Sequence, residues 1–135
     1  METFKMSEKA KRYNTGKLRW RNIPHFMLKG LVEVGQYGEQ KYGETWNFLK
    51  GDSVSSVLDS LIRHYEQLES PFESDFDKES GKLHAYHIAW NALYLAYILE
   101  HKPEFDDRYK TDKTEKIDEA EYLNKLAVEK LKEHD

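Results

Sequence analysis

The stretch Leu83-His84-Ala85-Tyr86-His87-Ile88-Ala89-Trp90-Asn91-Ala92-Leu93-Tyr94-Leu95-Ala96-Tyr97-Ile98-Leu99 decides the fold. Ala85, Ile88, Ala89, Ala92, Leu93, Leu95, Ala96 and Leu99 make it apolar almost all round, which predicts a central helix. Pro103 stands where that helix must stop. Against this background His84, His87 and Asn91 recur at i, i+3 and i+7, one polar stripe. A lone histidine on such a helix is ordinarily a core residue with a satisfied hydrogen bond. Two histidines and an asparagine on one stripe point to a site, because neutral imidazole binds a metal, accepts a proton or reads a ligand hydroxyl.

Before this helix, Asp52-Ser53 caps another, in which Val54, Val57, Leu58, Leu61, Ile62, Tyr65 and Leu68 form an apolar face. Ser70-Pro71 ends it. Its Asp59, Arg63 and Glu66 share one side, either as a surface ion-pair ladder or as part of a site. A first helix is expected from Pro24 to about Tyr42, with Asn22 as its cap and Phe26, Met27, Leu31, Val34 and Tyr37 at helical spacing. Gly30, Gly35 and Gly38 interrupt it, each at a cost of up to about 1 kcal/mol relative to alanine. They predict close approach of backbone or ligand on one side. Glu33, between Val32 and Val34, faces either solvent or a polar site.

The connections are polar. Residues 1–22 read as an irregular arm with a turn at Asn14-Thr15-Gly16. Gly43 to Gly51 is a loop that carries Trp46, and residues 70–82 are an acidic loop. Residues 103–113 read as a charged linker to a last amphipathic helix, capped by Thr114 and striped by Ile117, Ala120, Leu123, Ala127 and Leu131. No strand pattern competes. The expected fold is all-α: a compact helical bundle over 1–102, with an N-terminal irregular arm, and a linker and C-terminal helix over 103–135.

Composition bounds the chemistry. The chain has 135 residues and a formal net charge of -4, which gives no sign of a surface for long nucleic acids. It has no cysteine, so disulfides and thiolate metal sites are excluded. No apolar run is long enough to span a bilayer, and Met1 to Lys11 lacks a signal-peptide core, so a cytoplasmic protein is expected.

Lys17, Arg19, Arg21 and Lys41 lie near helix and loop ends, where they either bind phosphates or decorate the surface. Trp20, Tyr42 and Trp46 either stack on a nucleobase or close a small core; Trp46, inside a polar loop, is costly without a partner. Helical carboxylates beside cations suit a divalent metal on a phosphate chain. Oxygen ligands alone favour magnesium. Ligation by His64, His84 or His87 favours manganese or another transition metal.

The order Arg12-Tyr13-Asn14-Thr15-Gly16-Lys17, Tyr37-Gly38-Glu39-Gln40-Lys41-Tyr42-Gly43, Trp46, Asp59 with Arg63-His64, then Glu79-Ser80-Gly81, His84, His87 and Asn91 resembles the phage dATP/dGTP diphosphohydrolase family. That family is itself similar to the MazG-like all-α pyrophosphohydrolases. The resemblance covers roughly residues 10–100. It implies hydrolysis of dATP and dGTP to monophosphate and pyrophosphate, a role in controlling the purine deoxynucleotide pool during phage growth in the host cytoplasm, a homo-oligomer, and Mg2+ or Mn2+ as cofactor.

On that resemblance Glu33, Asp59 and His64 are the expected catalytic residues, and Glu33, Glu39 and Asp59 the expected metal ligands. Lys17, Arg19, Lys41, Tyr42, Trp46, Arg63, His84, His87 and Asn91 are the expected substrate contacts. Gln36 and Ser56 stand where the MazG-like pattern has two further carboxylates. A histidine–aspartate phosphohydrolase, also all-α, needs a His-Asp pair within its core, and the sequence has only His134-Asp135. The reading from a different class is a non-catalytic module that binds a nucleotide or a protein, using the same pocket and the last helix.

Overall fold

The computed structural model describes residues 8–109 and 115–133. The described residues form four α-helices: α1 (His25–Tyr42), α2 (Val54–Glu69), α3 (His84–His101) and α4 (Glu115–Glu133). Among the described residues the only β-pairing is an isolated bridge between Phe76 and Leu83. The all-α expectation holds.

The helix boundaries follow local chemistry. Pro24 is the N-cap of α1, and Asn22, expected to cap it, instead ends a short 3-10 turn, Trp20–Asn22. Gly43 closes α1 in the left-handed region at φ 70°. Ser53 caps α2 by accepting the Ser56 N–H on its Oγ at 3.3 Å. The turn expected in the arm is present, with the Lys17 N–H donating to the Asn14 carbonyl at 3.0 Å. Thr114 and His134-Asp135 lie outside the described residues.

α3 packs on both α1 and α2. Val54 and Val57 of α2 meet Ile98 of α3, with Leu58, Tyr94, Leu95 and Tyr97 packed around them. Phe48 stands edge-on to Trp90 and Tyr94 at centroid distances of 5.1 and 6.1 Å, and Tyr97 donates its hydroxyl to the Leu49 carbonyl at 2.7 Å. These contacts clamp the Trp46 loop to α3. Burial pushes the Tyr94 hydroxyl up to about 12.

The glycines of α1 serve two rings of α3. A Cβ at Gly30 would lie 2.2 Å from the Tyr86 ring, and one at Gly35 would lie 3.0 Å from Trp90. Gly38 has open space around it. The close approach expected of this helix is therefore made at two of its three glycines.

α3 departs from the expectation of a helix buried all round. Leu93 is 57% exposed and Leu99 41%, beside exposed Ala85, Ala89 and Ala96. Two helices cover only part of its circumference, and the rest faces outward. Residues beyond 102 also join the bundle: the Ser55 N–H donates to Asp107 Oδ1 at 2.8 Å, the Ser55 hydroxyl bonds to Asp107 Oδ2, and Phe105 packs at Gly51. In α4 the described side chains are exposed except half-buried Leu126.

Candidate functional site

The buried residues include three polar ones, His84, His87 and Asn91, nearly as many as the buried apolar side chains Val34, Val54, Val57 and Ile98. Burying polar groups without partners is costly, so each must be satisfied. Asn91 donates Nδ2 to the His87 carbonyl at 2.9 Å and to Ser60 Oγ at 3.3 Å, which ties α3 to α2. His84 Nδ1 lies 3.0 Å from His64 Nδ1 of α2. The His64 and His87 rings stack with centroids 4.3 Å apart and planes 6° apart.

The acidic loop brings a carboxylate to these rings. The Gly81 N–H donates to the Asp77 carbonyl at 2.8 Å, with Gly81 at φ 75°, and the Asp77 N–H donates to the Lys82 carbonyl at 2.7 Å. This turn sets Asp77 beside α3, where Oδ2 accepts the Ser80 N–H at 2.9 Å and lies 3.5 Å from His87 Nε2. Ser80 Oγ is 2.7 Å from the same nitrogen. Among the described residues, donor atoms of His64, Asp77 and His84 lie within 4.8 Å of one another.

Burial depresses the imidazoles of His64 and His87. Their mutual charge or that of His84 adds to this, and Asp77 opposes it. Both rings are thus neutral near pH 7 and able to accept a proton. Burial would raise the Asp77 carboxyl, but hydrogen bonds from Ser80 and the nearby histidines outweigh it and hold the group below the usual range.

In front of the cluster is an open cleft of about 880 Å³, within the ordinary range of small-molecule sites. Its walls are the C-terminal half of α1, the Trp46 loop, α2, the Asp77–Glu79 loop and α3. Five carboxylates and three cations line it. At its mouth Lys41 pairs with Glu79 at 2.7 Å, which raises the lysine. Bonds from Lys41 and Tyr37 hold Glu79 low. Arg63 also lines the cleft and, among the described residues, makes no ion pair with Asp59 or Glu66. Trp46 is 68% exposed and has φ 59°, a conformation that non-glycine residues seldom adopt.

The structure sorts the expected site residues. Glu39, Lys41, Tyr42, Trp46, Arg63, His64, His87 and Asn91 all line the cleft, and His84 sits behind it against His64. Lys17 and Arg19 are on the exposed arm, outside the cleft lining. Of the expected metal set Glu33, Glu39 and Asp59, only Glu39 lines the cleft, and among the described residues the three do not form a group at metal-ligand spacing. Glu33 is bound to Lys82 at 2.7 Å, and that bond and charge hold its carboxyl low. Asp59 is exposed and does not line the cleft. Asp77, the carboxylate that does reach the histidines, was not among the expected residues. Its signal was its place four residues before Gly81, where a reversing turn carries it back toward the helix N-terminus.

Residues 7–108 match the family described as dATP/dGTP diphosphohydrolase, N-terminal. Among curated proteins, a dATP/dGTP diphosphohydrolase of Salmonella phage PMBT28 is 33% identical over 98 residues, which is 72% of this chain and 32% of the relative. The chain thus spans about a third of the length of the relative it matches. No solved structure matches.

Proposed function

The chain belongs to the dATP/dGTP diphosphohydrolase family, and from that membership we propose that its cleft hydrolyses a purine deoxynucleoside triphosphate, dATP or dGTP, to the monophosphate and pyrophosphate. The observation that carries this reading is that every residue lining the cleft falls within residues 7–108, the stretch that matches the family. The relative's name gives the activity and the substrate class.

The excess of carboxylates in the cleft would repel a bare triphosphate, so the substrate is taken with a divalent cation, magnesium or manganese. The cation neutralises charge on the phosphate chain. Trp46 and Tyr42 offer ring faces to the base. Arg63, and Lys41 on release from Glu79, meet the phosphates. A water oxygen attacks the α-phosphorus and its proton passes to a neutral imidazole, His64 or His87. The bond from that phosphorus to the bridging oxygen breaks, and pyrophosphate leaves with the electron pair. Asn91 positions α3 against α2. Glu33 and Asp59 have no part in this scheme.

The proposed role is control of the purine deoxynucleotide pool in an infected host cell. No described helix is long and apolar enough to cross a membrane. Self-association belongs to the same reading, with the exposed face of α3 around Leu93 meeting a second copy.

Incubation with each dNTP and either metal, followed by ion-exchange separation of the products, tests the proposal. Release of dAMP or dGMP with pyrophosphate supports it; release of single phosphates contradicts it. A second reading, a nucleotide-binding module without turnover, is favoured by Gln36 and Ser56, which stand where the MazG-like pattern has carboxylates. Binding of dATP with no product in either metal would select it.

A further inference from the structure

One neutral imidazole suffices for the proposed reaction, which leaves the convergence of His64, His84 and Asp77 at the cleft wall unexplained; with an ion held there, the base is His87. His64 comes from α2, Asp77 from the loop and His84 from the first position of α3, and their donor atoms lie within 4.8 Å of one another. We propose that these three side chains hold a transition-metal ion of the zinc, cobalt, nickel or manganese class, at a site separate from the magnesium or manganese that accompanies the triphosphate.

Spacing supports the assignment. Metal–imidazole bonds of about 2.0–2.1 Å set two nitrogens on one ion about 2.8–3.4 Å apart, for octahedral to tetrahedral angles. The two Nδ1 atoms are 3.0 Å apart. An ion would enter by replacing the proton shared between them.

Charge supports it as well. The Asp77 side chain is only 14% exposed and is fixed by Ser80, yet it forms no hydrogen bond with any of the three rings among the described residues; its nearest approach is 3.5 Å, to His87. A largely buried carboxylate whose hydrogen bond among the described residues comes from Ser80 gains from a cation held between it and the rings. Simple packing does not require the arrangement, since an apolar trio would fill the same volume without burying an anion.

The donor set selects the ion. Two nitrogens and one oxygen suit zinc, cobalt, nickel or manganese, whereas magnesium and calcium prefer all-oxygen sites. His64 and Asp77 also line the cleft, so the remaining positions on the ion are reachable from it.

The test uses the whole 135-residue chain, stripped with chelator, and contains no nucleotide, so its outcome is independent of the proposed reaction. Titration with Co2+, followed by visible absorption and by calorimetry, is expected to show one ion bound per chain. Zn2+ should displace it and millimolar Mg2+ should not. His64→Gln and Asp77→Asn should each weaken Co2+ binding by at least about tenfold to a hundredfold, while Glu33→Gln leaves it unchanged. Circular dichroism and melting confirm that each variant is folded. In the wild-type chain, Zn2+ should shift the ring nitrogen resonances of His64 and His84, a readout that needs no variant. Absence of Co2+ and Zn2+ binding at submillimolar concentration would overturn the assignment. So would binding that survives both substitutions, or that shifts other histidines.

Discussion

Trp46 links the Gly43–Gly51 loop to the cleft in a single residue. Its left-handed backbone costs on the order of 1 kcal/mol for a residue with a Cβ, and at 68% exposure its ring gains little packing in return. Trp46→Gly is therefore expected to raise stability by about 1 kcal/mol in urea unfolding. The same change should weaken dATP binding by about 1–3 kcal/mol, the worth of one stacked base. A variant that is less stable and binds dATP normally would show that the ring serves the fold.

Histidine burial makes a second prediction at this scale. His64 and His87 have folded values below the ordinary 6.5, so protons bind the unfolded chain more readily. Stability of the chelator-treated protein should be full above pH 6.5 and fall as the pH drops below it, with Asp77 and His84 as the neighbouring groups. His64→Gln should flatten that fall in thermal melts. The polar stripe His84, His87 and Asn91 was legible because helical periodicity relates i, i+3 and i+7. Asp77 and the Glu33–Lys82 pair were not legible, because a loop has no periodicity and the pair spans 49 residues of sequence.

At the scale of elements, helix identity was read from apolar spacing, and Pro24, Ser53 and Pro71 marked ends that the structure keeps to within a residue or two. Partnership between helices was less visible. Gly30 signalled a close approach, but nothing local to α1 named Tyr86 as the ring that fills the space. Gly30→Ala gains helix propensity of up to about 1 kcal/mol, yet its methyl would lie 2.2 Å from that ring. Overpacking of this kind costs about 1–3 kcal/mol, so net destabilisation is expected, and Tyr86→Leu in the same chain should recover most of it. A Gly30→Ala protein with unchanged or higher stability would mean that α1 and α3 are less tightly held than described.

For the whole molecule, the bundle makes the cleft by leaving a gap between α1 and α2 over α3, floored with polar residues. The same arrangement leaves the far face of α3 uncovered, which the apolar run alone could not reveal: a sequence helix that is apolar all round does not say whether its last side is covered by the same chain or by another. Leu93→Lys is expected to convert a self-associated wild-type protein to a monomer by light scattering, with its helical circular dichroism retained. A wild-type protein that is already monomeric at micromolar concentration would remove this part of the account.

The three tryptophans provide the most direct test of the central claim, that the cleft is the nucleotide site. Trp46 and Trp90 line it, and Trp20 is on the exposed arm. Indole N–H resonances would be followed while α,β-methylene dATP is added in the presence of Mg2+. The account predicts that the Trp46 and Trp90 signals shift and saturate together while Trp20 stays in place. Shifts confined to Trp20, or none at millimolar analogue, would contradict it.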